Sequence, residues 1–462
     1  METHPENLAR NGPTADAQSQ TKRFVWPLAI VTVLMFNQIW WDAGGFTFRF
    51  IDLVMLALLG IYLFQALHTG RLRYAHSSLN GPLLLWLGVL LLGALVTQFR
   101  PVLAVDQQDA IVNSVRLALA ISLFFVVSGS LAHSATDKTR TVFYTVIAFS
   151  FVTTLVSLLQ IAHWAGRLPF SLPAVLVTFK EGANQEPGRE IFALFVGNSG
   201  THVWSAMLAL QALCVWIATT TTTRSVLWRL AGYGYCVVLG LILVRTSVRN
   251  SILGLVVAVV FLSLLRAFKS RYVSTRLIVP ALIVGGALLG ALALLTFAPE
   301  QYFVQRLVQT IPRLTGQEIV IDRASNIFGR LEYAQVGVKI FQRYPLLGGG
   351  FYGYRTYYLD MTRDTTISHA HNSYVQTMAE LGLVGLLALA WLAWRIFSFL
   401  AIAGGKILQQ AIWERRSWYL ATSVAVFMAF TAGFANPFWE PTEVGFFMIA
   451  LALTSRHFWE RT

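Results

Sequence analysis

Apolar residues in this chain come in long unbroken runs, not in the short alternations of a half-buried strand or the single stripe of a surface helix. Runs of roughly 15–30 residues recur between short polar stretches, and about 20 apolar residues suffice to carry a helix across a hydrocarbon core. The pattern predicts twelve membrane-spanning helices, at roughly 24–41, 48–67, 82–98, 110–132, 142–165, 200–219, 226–244, 250–268, 277–298, 373–402, 417–435 and 442–456. The run at 373–402 exceeds a bilayer's thickness and is expected to tilt strongly. The fold class expected is an all-α integral membrane protein.

The polar stretches divide the chain. Residues 1–23 read as a disordered cytoplasmic tail, and the first apolar run reads as a retained anchor with no small-residue cleavage pattern behind it. Residues 24–298 hold nine spans, with a smaller outer loop at 166–199. Residues 299–372 form a large outer loop expected to contain short helices, and 373–462 hold the last three spans and a short tail. Arg71, Arg73, Lys138, Arg140, Arg224, Arg266, Lys269, Arg271, Arg276, Lys406, Arg415 and Arg416 all fall on one side of this topology. The positive-inside bias then puts both termini in the cytoplasm.

Composition narrows the class without changing it. Of 462 residues, 56% are hydrophobic and 12% charged, about half the charge of an ordinary soluble domain. The net charge of +13 does not indicate nucleic acid, because the basic residues lie between apolar spans. In that position they serve topology, or meet anionic lipid and phosphate. Cys214 and Cys236 both fall inside apolar runs, which argues against a disulfide framework and a thiolate metal site. Mid-span ionisable residues are few, with Asp52, Arg116 and Glu380 the clearest, fewer than an ion relay needs.

Four polar stretches approach the outer face. Arg245-Thr-Ser-Val-Arg249-Asn250 joins two spans; its arginines either snorkel to lipid headgroups or, at Arg249, place a guanidinium at a helix N-terminus suited to an anion. The loop arginines at 306–363 either pair with loop acids such as Glu318, Glu332 and Asp360 or bind phosphate oxygens. Gly329-Arg330-Leu-Glu332-Tyr333 is the second stretch, and the third is Tyr344-Pro345-Leu-Leu-Gly348-Gly349-Gly350, whose glycines permit tight turns or close approach to a ligand. The fourth, Ser368-His369-Ala370-His371-Asn372-Ser373-Tyr374, puts two histidines where a loop becomes a helix. No third metal ligand is near them, and a general base suits a neutral imidazole better. Nine residues separate His371 from Glu380, which would put them on opposite faces of one helix and rules out a simple dyad.

Ala370-His371-Asn372-Ser373-Tyr374-Val375-Gln376 with Glu380, Gly382 and Gly385, preceded by Pro345-Leu-Leu-Gly348 and Gly329-Arg330, resembles the O-antigen ligase and O-antigen polymerase superfamily. The stretch from Thr246 to Gly254 is similar to the family's arginine-bearing helix entry, with Val248-Arg249 where Ser-Arg is usual. Asn198-Ser-Gly-Thr-His, after Arg189, is a looser match. The resemblance implies a bacterial inner-membrane glycosyltransferase that needs neither nucleotide sugar, metal nor cofactor. It would take a glycan from undecaprenyl pyrophosphate on the periplasmic side and pass it to an acceptor hydroxyl. By position, His371 is implied as base, Arg249 and Arg330 as pyrophosphate ligands, and Arg189 as a further basic contact. A ligase would use lipid A–core as acceptor; a polymerase would use a second lipid-linked repeat. From another class, a transporter or flippase for a lipid-linked glycan remains the rival.

Overall fold

The structure, a computed structural model, describes residues 40–43, 46–70, 77–131, 327–364 and 369–407, with scattered helical positions between 225 and 238 and between 419 and 455. A two-stranded antiparallel hairpin comes first, β1 (Trp40–Ala43) on β2 (Phe46–Arg49), with Trp40 opposite Arg49 and Ala43 opposite Phe46. Three helices follow: α1 (Phe50–Thr69), α2 (Asn80–Gln98) and α3 (Ala104–Leu131). After them come α4 (Ile327–Arg343), α5 (Tyr354–Thr362) and α6 (Ser373–Ile407).

Among the described residues, four helical segments are long and apolar enough to cross a membrane: Asp52–Thr69, Asn80–Gln98, Ala104–Gly129 and Ser373–Ala403. They correspond to the spans expected at 48–67, 82–98, 110–132 and 373–402. Of the other eight expected spans at most scattered positions are described, so the count of twelve lies outside the described residues. The hairpin is a departure: the run expected to be helical to residue 41 has Trp40 and Trp41 in β1. Its sequence, Trp-Trp-Asp-Ala, Gly-Gly, Phe-Thr-Phe-Arg, is aromatic-rich around a glycine pair, a strand signal that a hydropathy window averages away.

Residues from α1, α2, α3 and α6, with the segment before α5, share one apolar core that includes Leu83, Leu90, Ala120, Phe124, Phe351 and Leu400. Helices α2 and α6 run antiparallel, Gly81 lying against Trp391 and Gly93 against Leu381, with Arg395 donating to the Ser78 carbonyl. Large apolar side chains such as Phe64, Leu67, Leu84 and Trp394 point away from the described residues, as a lipid-facing surface requires. Arg116 and Asp52, two of the three mid-span ionisable residues, pair with each other at 2.9 Å.

Helix α6 is broken at Gly382, where φ is 64° and ψ is −156°. The run expected to be one strongly tilted span is therefore two helical pieces. The break leaves two carbonyls and two N–H groups without their usual partners one turn away, and the glycine-bearing loop before α5 takes their place. Gly349 N–H donates to the Ala379 carbonyl at 2.8 Å and Gly350 N–H to that of Glu380 at 3.0 Å. In return, Leu383 and Val384 donate to the carbonyls of Pro345 and Leu346 at 2.8 and 3.2 Å. Each such group, buried and unmade, would cost about 1–3 kcal/mol. The loop is in turn tied to α2, since Phe351 N–H donates to the Gly93 carbonyl and Thr97 Oγ1 to that of Phe351.

Gly348 (φ 72°) and Gly382 face each other across this junction, and a Cβ on either would strike backbone atoms of the opposing segment. Gly382→Ala is expected to cost at least roughly 1–3 kcal/mol from the left-handed backbone alone. Gly88→Ala, where a Cβ meets open space, should leave stability unchanged. Thermal unfolding of the detergent-solubilised protein reads both, and equal midpoints would contradict the junction.

Candidate functional site

Polar groups gather where the C-terminus of α2, the N-termini of α3 and α6, and helices α4 and α5 meet. A second, aromatic core forms there from Tyr333, Val336, Ile340, Tyr354, Tyr357, Tyr358, Ala370 and Ala379. Tyr354 Oη donates to the Tyr333 carbonyl at 2.7 Å, and Tyr357 Oη to that of Gly349 at 3.3 Å. Burial raises the pKa of both phenols well above its ordinary value. They are therefore fixed donors that hold backbone in place, and not groups that exchange protons near neutral pH.

Helix α5 follows Gly353, which has no side chain to cap it. The first turn of a helix always carries unsatisfied N–H groups, and here acids from two other helices accept them. Glu380 Oε1 of α6 takes the Tyr354 N–H at 3.4 Å, and Asp106 Oδ2 of α3 takes the Thr356 N–H at 3.2 Å. Asp106 also accepts from Thr356 Oγ1 and pairs with Arg355, which reaches Asp109 at 3.1 Å as well. The N-terminal positive end of α5 favours both carboxyls. Arg100, at the end of α2, lies over the Tyr344 ring at 4.0 Å and donates to the Gly348 carbonyl.

His371 sits just before α6 with its backbone in the left-handed region, at φ 49°. Asn372 caps α6, its Oδ1 accepting the N–H groups of Tyr374 and Val375 at 3.0 and 3.1 Å. The His371 ring is 5.5 Å from that of Tyr333 and 4.1 Å from that of His369. Its Nδ1 is shut off from solvent while the residue is half-buried. A non-glycine residue held at positive φ costs of order 1–3 kcal/mol, and such positions concentrate at functional sites. Among the described residues, no group of three His, Cys, Asp or Glu converges as a metal site would need.

Of the four residues singled out in the sequence, His371 is placed in full. Arg330 lies in the first turn of α4, three residues and so about one turn before Tyr333. Arg249 and Arg189 lie outside the described residues. Glu380 accepts from Gln376 and from the first turn of α5. Arg355 is paired, yet its acids come from α3 and not from the loop that carries it. Asp106 and Asp109 precede the apolar run expected at 110–132, and two acids three residues apart at a helix start are the signal that marks them. Gln376, which links Glu380 to Ala370, carried no signal beyond its place in the His-Asn motif.

These features define an α-helical membrane protein in which, among the described residues, the buried Asp106, Gln376 and Glu380 gather at one junction of its helices. The family model described as O-antigen ligase matches residues 234–390. That segment, about a third of the chain, contains Arg249, Arg330 and His371 and leaves out Arg189. No curated protein matches the chain.

Asp106 is 1% exposed and Asp109 40%, so the two halves of the Arg355 pairing should differ in weight. Asp106→Ala is expected to destabilise the protein by roughly 3–5 kcal/mol, as breaking a buried pair does. Asp109→Ala should cost about 1 kcal/mol or less. Denaturant titration in detergent distinguishes them, and equal losses would mean that the burial of Asp106 does not matter.

Proposed function

We propose that the protein is a metal-independent glycosyltransferase that moves a glycan from undecaprenyl pyrophosphate to an acceptor hydroxyl at the periplasmic face of the bacterial inner membrane. The observation that carries this reading is His371: a histidine held at φ 49° at the mouth of a broken helix, inside the matched O-antigen ligase segment. The setting suits a base. Its Nδ1 is enclosed, which leaves Nε2 as the nitrogen to meet an incoming hydroxyl.

In this reading Nε2 takes the acceptor's proton as its oxygen attacks the sugar C1. The bond from C1 to the pyrophosphate oxygen breaks, and its electron pair leaves with the pyrophosphate. The configuration at C1 inverts, because attack and departure occur on opposite faces. Negative charge grows on the leaving group, and Arg330 and Arg249 are assigned to it, since fixed guanidinium groups lower the barrier most where charge develops. Arg189 is assigned as a weaker basic contact. A lipid-linked donor also accounts for a site at a helix junction rather than in a soluble domain.

The acceptor proposed is lipid A–core, which makes the protein a ligase. A polymerase of the same superfamily, extending an O-antigen or exopolysaccharide chain, uses the same chemistry with a different hydroxyl. A transporter would require its cations along a path through the bundle. Among the described residues the Arg116–Asp52 pair is internally neutralised, which favours a transferase.

Purified protein incubated with undecaprenyl-pyrophosphate glycan and separate acceptors decides among these. Transfer to lipid A–core by the unaltered chain, lost by at least about 100-fold in His371→Ala and weakened in Arg330→Ala, is expected from a base and an oxyanion ligand. Elongated lipid-linked glycan without capped lipid A would favour the polymerase. Undiminished transfer by His371→Ala would remove the base, and movement of glycan-lipid across vesicles without transfer would favour a transporter.

A further inference from the structure

Between His371 and the broken helix stands a buried amide that the proposed chemistry does not use. Gln376, 4% exposed, donates from Nε2 to Glu380 Oε1 at 2.5 Å and accepts the Ala370 N–H on Oε1 at 2.6 Å. Only one orientation of the amide satisfies both contacts. A backbone N–H can only donate, so the carbonyl end must face Ala370, and the NH2 end must then face Glu380. Glu380, 3% exposed, is itself fixed by the first turn of α5. Ala370 is fully buried and directly precedes the left-handed His371.

A string of contacts thus runs from the α5 N-terminus through Glu380 and Gln376 to the peptide that sets the direction of the His371 backbone. From the other side, Asn372 fixes the next peptide as the cap of α6. A turn held at positive φ needs such over-determination to persist.

We propose that Gln376 is a positioning residue for His371, its amide polarised and oriented by Glu380 and aiming the imidazole through the Ala370 peptide. This deepens the proposed function and rests on His371 acting as the base there. The contact from Gln376 requires an acceptor at position 380, not a charge, while the carboxylate also accepts from the backbones of Tyr352 and Tyr354. Glutamine at 380 still offers an oxygen to Gln376, whereas loss of the amide at 376 leaves the Ala370 N–H buried with no acceptor.

The test compares Gln376→Met, Glu380→Gln and His371→Ala in the full chain in detergent. It reads kcat, KM for undecaprenyl-pyrophosphate glycan, the thermal midpoint, and the rate at which diethyl pyrocarbonate acylates His371, resolved from His369 by tandem mass spectrometry. Gln376→Met is expected to lower kcat by at least about 10-fold with donor KM unchanged, as misaimed catalytic groups do. The acylation rate of His371 should change with it. Glu380→Gln should stay closer to wild type in both readings. If Gln376→Met does not accumulate, Gln376→Asn, which keeps the amide on a stem too short to reach both Ala370 and Glu380, supplies the same readings. Wild-type kcat and acylation in a folded Gln376 variant would overturn the positioning role whatever His371→Ala does. A fall confined to the thermal midpoint would likewise overturn it. Transfer surviving in His371→Ala while acylation of His371 still responds to Gln376 would remove the base assignment alone.

Discussion

The helix break at Gly382 is the constraint on which the rest of the described structure depends. A continuous α6 would need no partner for its backbone, and the Pro345–Gly350 loop would have nothing to bind. Once the ladder is interrupted, four backbone groups in an apolar setting demand partners, and the loop that supplies them is held against the helix and against α2. That places Glu380 beside the start of α5 and leaves the first two turns of α6 as a separate piece carrying His371 at its head. Discontinuous helices in membranes are tolerated where surrounding groups re-satisfy the backbone, and here the satisfying groups are the ones that build the site.

Burial sorts the polar residues around that break into those that hold and those that are exposed enough to react. Tyr354, Tyr357, Asp106, Gln376 and Glu380 are enclosed and paired, each completing a backbone or guanidinium contact. His371 is half-buried, its ring tilted against those of Tyr333 and His369. The arrangement fits a base carried by a rigid frame, with the cations for a leaving pyrophosphate contributed by other segments.

Much of this was legible in the sequence, and the reasons for the gaps are physical. Four spans were visible because lipid demands long apolar runs, and His371 because a histidine before Asn-Ser at a helix start is a local pattern. The glycines at 348–350 were readable as a close approach, but not what they approach: that partner lies some 30 residues on in the chain. The break at Gly382 was hidden because hydropathy continues through it unchanged. The β hairpin at 40–49 was lost to window averaging. The Arg355–Asp106 pair joins residues about 250 positions apart, beyond any periodicity. Arg249 and Arg189 lie outside the described residues, so their place beside His371 rests on the motif.

The central claim is that one site brings His371, Arg330 and Arg249 to a lipid-linked pyrophosphate. An experimental structure of the full chain bound to undecaprenyl pyrophosphate tests it most directly. The account predicts phosphate oxygens within hydrogen-bonding distance of Arg330 and Arg249, with His371 Nε2 facing the position that C1 of the glycan would occupy. Pyrophosphate bound away from these arginines, or His371 turned from it behind the α6 break, would contradict it.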